Sequence, residues 1–203
     1  MLRCITDFYT SCGSTVNICA LDLSKAFDKM NHYRLFIKLM QRSIPNNLLL
    51  LLERWFATGM MCVKWRSAWS SWYNLQCGIR QGGVLSPHLF AIYIDSLVDK
   101  MKAFRCGCHV RFYCTSIILY ADDILLIAPS VTSLQSLLTV CEKELQYLDM
   151  SVNVKKSICM RIGPRHSSSC YFSETSCKID TSTSCCKFFG NFNNIVAIAG
   201  RAK

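Results

Sequence analysis

The stretch ILYADDILLIA, residues 118–128, sets Asp122 and Asp123 side by side in an otherwise apolar run. An ionised carboxylate taken out of water is strongly disfavoured, and a second one beside it adds repulsion. The flanks, Ile118 and Leu119 on one side and Ile124 to Ile127 on the other, favour strands over a loop. A β-hairpin reconciles the two demands if its tip, Ala121 to Asp123, stands at the end of a sheet. A divalent cation would then neutralise the pair. Magnesium suits this, because it takes hard oxygen ligands, keeps several waters and uses few carboxylates. A solvated polar turn satisfies the same pattern, so the pair by itself leaves both readings open.

A second acidic site tips the balance. NICALDLSKAFDKMNH, residues 17–32, carries Asp22 at the end of another apolar strand and Asp28 after a turn. A strand ending in Asp22 beside a hairpin tipped by Asp122 brings three carboxylates from distant segments onto one sheet edge. Two metal ions about 3.5–4 Å apart, shared by such carboxylates, stabilise the attacking and leaving oxygens of an in-line phosphoryl displacement.

The remaining pattern indicates α+β architecture. A helix ends near residue 12, and residues 14–24 form a buried strand. Helices are expected over 26–42 and 45–57, with strands in MMCVKW and SWYNLQCG. Ser86 as N-cap with Pro87 in the first turn starts a long helix reaching Phe104. A strand over 110–120, a sharp turn, a strand over 124–128, a helix over 132–149 and a strand over 152–162 follow. The alternation lacks the rhythm of a doubly wound sheet, which also argues against a phosphotransfer receiver. An antiparallel sheet with helices packed on one face fits better. After Gly163 the chain becomes Ser-, Thr- and Cys-rich and reads as a tail that need not pack, dividing the chain into 1–163 and 164–203.

Composition narrows the partners. With 203 residues, 51% of them hydrophobic, the chain can bury a real core. A net charge of +10 suits a polyanion such as nucleic acid, although a solvated surface accounts for it equally well. No pair among the 14 cysteines has Cys-x-x-Cys spacing, and MLRCITDFYT does not resemble a secretory signal. Most thiols therefore read as reduced core residues of an intracellular protein, with cytoplasm and nucleus both open. Cys106, Cys108, His109 and Cys114 form the one cluster with metal-like chemistry, but a tetrahedral zinc site wants two well-spaced pairs. No apolar run approaches the roughly 20 residues that cross a bilayer, so no membrane partner is expected.

Four stretches in order, ALDLSKAFDKMNH, GIRQGGVLSPHLFAIYIDSL, YADDILLIA and LDMSVNVKKSICMRIG, resemble motifs A to D of the reverse transcriptase palm. The wording is closest to non-LTR, LINE-type retrotransposons; reverse transcriptases of group II introns and telomerase share the Asp-Asp turn. The resemblance covers residues 1–163. It implies a right-hand polymerase palm, with fingers and thumb largely missing from this chain. The implied activity is that of an RNA-directed DNA polymerase, a nucleotidyltransferase adding deoxynucleotides to a primer 3′ end by two-metal phosphoryl transfer. Its cofactor would be two Mg2+ ions, with Mn2+ as a substitute. Its partners would be an RNA template, a DNA primer and deoxynucleoside triphosphates, with the oligomeric state open. The alternative is a catalytically inactive retroelement remnant that binds nucleic acid weakly and without specificity.

By the same resemblance, Asp22, Asp122 and Asp123 are the catalytic metal ligands, joined by the backbone carbonyl of Leu23. Lys156 matches the motif D lysine that protonates the pyrophosphate leaving group, although neighbouring Lys155 makes the register ambiguous. Phe27 matches the aromatic steric gate against a 2′-hydroxyl, and a core aromatic is the competing reading. Arg80, Gln81 and Gly82 match the nucleotide and template contacts, with Gly83 beside them. CCKFFGNF, residues 185–192, has a faint likeness to the primer grip. Asp28 and Asn31 read as polar groups at a helix start, and His32 has no partner spacing that suggests catalysis. Trp55, Trp65, Trp69 and Trp72 can pack or stack on bases.

Overall fold

The computed structural model describes residues 2–110, 113–164, 169–172 and 179–182, with 180–182 in backbone only. The primer-grip candidate at 185–192 lies outside the described residues. Helices are α1 (Leu2–Ser11), α2 (His32–Gln41), α3 (Asn46–Thr58), α4 (Ser86–Phe104) and α5 (Val131–Tyr147). The main sheet comprises β1 (Val16–Asp22), β2 (Ile117–Tyr120), β3 (Asp123–Ala128), β4 (Ile158–Ile162) and β5 (Asp180–Ser182). The chain divides into two compact units, residues 1–24 with 95–203, and Lys25–Ile94.

In the first unit the strands lie in the order β5-β4-β1-β3-β2, all neighbours antiparallel except β4 with β5. Central β1 buries Val16, Ile18, Cys19, Ala20 and Leu21 completely. Successive side chains point to opposite faces, so an unbroken buried run requires cover on both. The register Ile18↔Ile127 and Ala20↔Leu125 puts these residues on one face with Val16 and Met160, where α1 contributes Leu2 and Ile5. The other face, Cys19, Leu21, Ile124 and Leu126, takes α5, whose Leu134, Leu137, Leu138, Cys141 and Leu145 are buried. Each such Leu or Ile stabilises the fold by about 1.5–3 kcal/mol. The helical layer expected on one face is thus α5, and α1 covers part of the second.

Several boundaries shift for local reasons. The helix expected from Ala26 begins at His32, because residues 24–29 turn and the Asn31 side chain caps α2 by accepting from the Arg34 amide at 3.2 Å. The strand expected over 110–120 breaks: the Thr115 amide donates to the Cys108 carbonyl at 2.7 Å, and a small hairpin between them pairs His109–Val110 with Tyr113–Cys114. MMCVKW and SWYNLQCG pair with each other only through the two-residue ladder Met60–Met61 with Tyr73–Asn74, while Lys64–Trp65 pairs with Ala68–Trp69, which lies between the two stretches. Their side chains are largely exposed, so no buried face extends the pairing. The Ser86 hydroxyl donates to the Arg80 carbonyl at 2.6 Å, closing the turn before α4.

Residues after Gly163, read as a tail that need not pack, do pack in part. β5 pairs with β4, and Cys170, Phe172 and Ile179 are buried. The described cysteines are free thiols; Cys19, Cys108, Cys141, Cys159 and Cys170 are buried, but Cys4, Cys12 and Cys77 are exposed. The core reading therefore holds for only part of them. No helix among the described residues is long and apolar enough to cross a membrane.

The second unit buries Met30, Leu35, Leu39, Ile79, Leu89, Phe90 and Tyr93. Helix α2 packs on α3 through Phe36 and Phe56, in an edge-to-face contact with centroids 5.9 Å apart.

Candidate active site

Strands β2 and β3 are joined by a two-residue turn, with Tyr120 opposite Asp123 as the closing pair. Ala121 takes φ +51°, a left-handed conformation unfavourable for a residue with a Cβ. That turn carries Asp122, while Asp123 becomes the first residue of β3. Asp123 also stands directly opposite Asp22, the last residue of β1. Like charges facing each other across a ladder destabilise it. The Asp123 carboxyl is accordingly pushed up to about 6, by burial first, then by Asp122 and Asp22, with Lys156 opposing.

Lys156 arrives on a loop fastened to the end of β1. Leu23 bridges Val152, the Ser24 amide donates to the Ser151 carbonyl at 2.8 Å, and the Asn153 amide donates to the Asp22 carbonyl at 2.8 Å. The Ser157 hydroxyl accepts from the Asp22 amide at 3.4 Å and donates to the Asn153 carbonyl at 2.8 Å. This seating brings the Lys156 ammonium to 3.7 Å from Asp22 Oδ2. It is why the strand expected over 152–162 starts only at Ile158. The two flanking ladder bonds engage the Asp22 carbonyl and the Ser24 amide rather than the Leu23 carbonyl.

Four of the residues singled out from the sequence, Asp22, Asp122, Asp123 and Lys156, are thus brought together at one sheet end, with Leu23 adjoining. Their chemistry suits a hard cation: three carboxylate donors, one of them pushed up by burial and by its two acidic neighbours. As the side chains stand, no three His, Cys, Asp or Glu among the described residues gather closely enough to hold one ion. That applies equally to Cys106, Cys108, His109 and Cys114. The Cys108 thiol belongs to the core cluster under α1, where burial raises it to about 11.

Phe27, Arg80, Gln81 and Gly82 belong to the second unit. The Phe27 ring is half-buried and stacks on Phe90, centroids 4.7 Å apart at 28°. Its carbonyl accepts from the Ile79 amide at 2.8 Å. Gln81 Nε2 donates to Asp28 Oδ1 at 3.1 Å, and Arg80 is exposed beside an apolar pocket lined by Trp55, Phe56 and Met60. Gly82 has φ +80° with nothing within 4 Å of where a Cβ would stand, whereas a Cβ on Gly83 would meet the Ser86 hydroxyl at 2.8 Å.

Three contacts near these residues have no counterpart among the sequence expectations. Asp28, taken for a helix-start polar group, receives Gln81. His32 Nε2 lies 2.6 Å from the Gly78 carbonyl, and the Gly78 amide donates to the Met30 carbonyl at 2.7 Å. At Gly78, φ is +81° and a Cβ would stand 2.6 Å from the Asp28 carbonyl oxygen, so only glycine lets the two segments approach. The glycine opening GIRQGG was the available signal.

Comparison with known proteins accords with this geometry. Residues 6–191 match the family described as reverse transcriptase (RNA-dependent DNA polymerase). Relatives include the Pol polyprotein of the type-2 retrotransposable element R2DM of Drosophila melanogaster, 29% identical over 147 residues, covering 72% of this chain and 14% of that protein. The Pol polyprotein of the type-1 retrotransposable element R2 of Nasonia vitripennis is 27% identical over 150 residues, with the same 72% and 14% coverage. The chain therefore spans about a seventh of the length of these curated relatives. In structure it is similar to telomerase from Candida tropicalis in complex with a TWJ fragment of telomeric RNA. That likeness has a TM-score of 0.60 and 14% identity and covers 96% of this chain and 35% of that one. At such identity the likeness shows the polymerase-palm fold alone. The family match, which takes in nearly the whole chain, establishes that the protein belongs to the reverse transcriptase (RNA-dependent DNA polymerase) family.

Proposed function

We propose that the acidic sheet edge adds deoxynucleotides to a primer 3′ end against an RNA template. The observation that carries this reading is the register pairing of Asp22 with Asp123, with Asp122 beside them in the turn. Asp22, Asp122 and Asp123, with the Leu23 carbonyl, would hold two magnesium ions, or manganese in their place, which when bound supply charge stabilisation to the attacking and leaving oxygens. Lys156, its ammonium 3.7 Å from Asp22 Oδ2, gives a proton to the departing pyrophosphate oxygen. Phe27 excludes a 2′-hydroxyl by volume, a discrimination of roughly 10- to 100-fold. Arg80 and Gln81 bond to phosphate or base edges, and Gly82 keeps that backbone free of a side chain.

Primer extension on an RNA template with magnesium tests the reading. The wild-type chain should extend the primer, and Asp122→Asn should abolish extension while leaving the far-UV circular dichroism spectrum intact. Near-normal extension by Asp122→Asn would refute it. Salt-sensitive nucleic-acid binding without any extension would favour the inactive-remnant reading.

A further inference from the structure

Between α3 and α4, within the second unit, the chain forms a narrow β-ribbon. Beyond the two short ladders, the Val63 carbonyl accepts from the Ser70 amide at 2.9 Å and the Val63 amide donates to Ser70 Oγ at 2.9 Å. The ribbon is therefore ordered by its own backbone, yet Trp65, Trp69 and Trp72 are 75%, 63% and 66% exposed. Indoles this open contribute little to the core of their unit. Lys64 stands opposite Trp69 with its ammonium 4.9 Å from the ring centroid, so one face of that ring already carries a cation. Strand alternation places Trp65 on the reverse face, and Arg66 follows in the turn at φ +54°.

Charge indicates the occupant. From Arg54 to Ile94 the chain contains Arg54, Lys64, Arg66 and Arg80 and no aspartate or glutamate. The indoles are interleaved with Ser67, Ser70 and Ser71 rather than with long aliphatic side chains. Flat π faces spaced with cations match a flexible polyanion whose bases are unpaired, since every base offers a face to stack and every linkage a phosphate.

We infer that the ribbon Met60–Asn74 is a binding surface for single-stranded nucleic acid, with bases stacked on Trp65 and Trp69 and phosphates held by Lys64 and Arg66. The ribbon binds a strand whether or not the acidic edge adds nucleotides, so each reading can fail alone.

The test titrates the full 203-residue chain with a fluorescently labelled oligouridylate of about 20 nucleotides, long enough to cover a typical single-strand site. Anisotropy and tryptophan quenching are read together. Trp65→Ala and Trp69→Ala should each weaken binding about 10-fold, and Trp69→Phe, which keeps a π face, should recover most of the loss. Lys64→Ala and Arg66→Ala should each lower the slope of log affinity against log salt by about 0.7. Asp122→Asn should abolish primer extension and bind the oligomer as wild type does. A Trp65→Ala/Trp69→Ala chain that keeps its circular dichroism spectrum and binds with unchanged affinity would overturn the inference. So would wild-type binding to phosphatidylserine vesicles but not to the oligomer, or tryptophan-dependent self-association with oligomer affinity untouched by the substitutions.

Discussion

Replacing Asp123 by asparagine should stabilise the metal-free protein at neutral pH. The Asp123 carboxyl titrates at about 6 in the fold against 3.8 in a model peptide, which caps the effect at ~3 kcal/mol. The side chain is only half-buried, and solvent screening reduces the expected gain to ~1 kcal/mol, a rise of about 2–4 °C in Tm. The sign follows from proton linkage. Between pH 3.8 and about 6 the folded state holds a proton that the unfolded state has released, so stability falls as pH rises through that window. Above it the full cost of the ionised carboxylate is present. The asparagine variant escapes that cost, so its advantage in urea unfolding should be complete at about pH 8 and shrink to about a third by about pH 4.5. An advantage equal at both pH values, or a loss of stability at about pH 8, would refute the claim that crowded carboxylates strain this edge.

Other outcomes follow from the same geometry. Ala121→Gly relieves the left-handed turn residue and should raise stability by ~0.5–1 kcal/mol in urea unfolding; a decrease would remove the inferred strain. Gly78→Ala sets a Cβ into the Asp28 backbone at positive φ and should cost about 2–4 kcal/mol by the same measurement, whereas a neutral effect would mean that the two segments can separate freely. Lys156→Ala removes the charge that holds the Asp123 carboxyl down, so the NMR titration of that carboxyl should move above 6; an unmoved or lowered midpoint would show the ammonium resting elsewhere.

The parts of the fold visible in the sequence are those where local chemistry and tertiary demand agree. Runs such as Val16–Leu21, apolar but for Asn17, and Ile124–Ala128 suit strands buried on both faces, and the acids beside them meet at a common edge. The start of α2 was misread because Phe27 and Met30 extend the apolar period of the helix upstream, whereas the Asn31 cap decides where it begins. β5 escaped because a strand needs only backbone partners, and its Ser/Thr-rich surroundings advertise none. Within the candidate site, Asp22, Asp122 and Asp123 were legible through their electrostatic cost, and Lys156 through family resemblance. The Asp28–Gln81 bond and the His32–Gly78 contact were not legible. Pairings of polar groups some 50 residues apart leave no period or motif to read.

Titrating the chain with manganese, followed by electron paramagnetic resonance of the free ion, tests most directly whether Asp22, Asp122 and Asp123 form one cation site. The wild-type protein should take up manganese with magnesium competing, and Asp22→Asn and Asp122→Asn should each lose that uptake while the fold persists. Uptake unchanged in both variants would contradict a cation site on this edge.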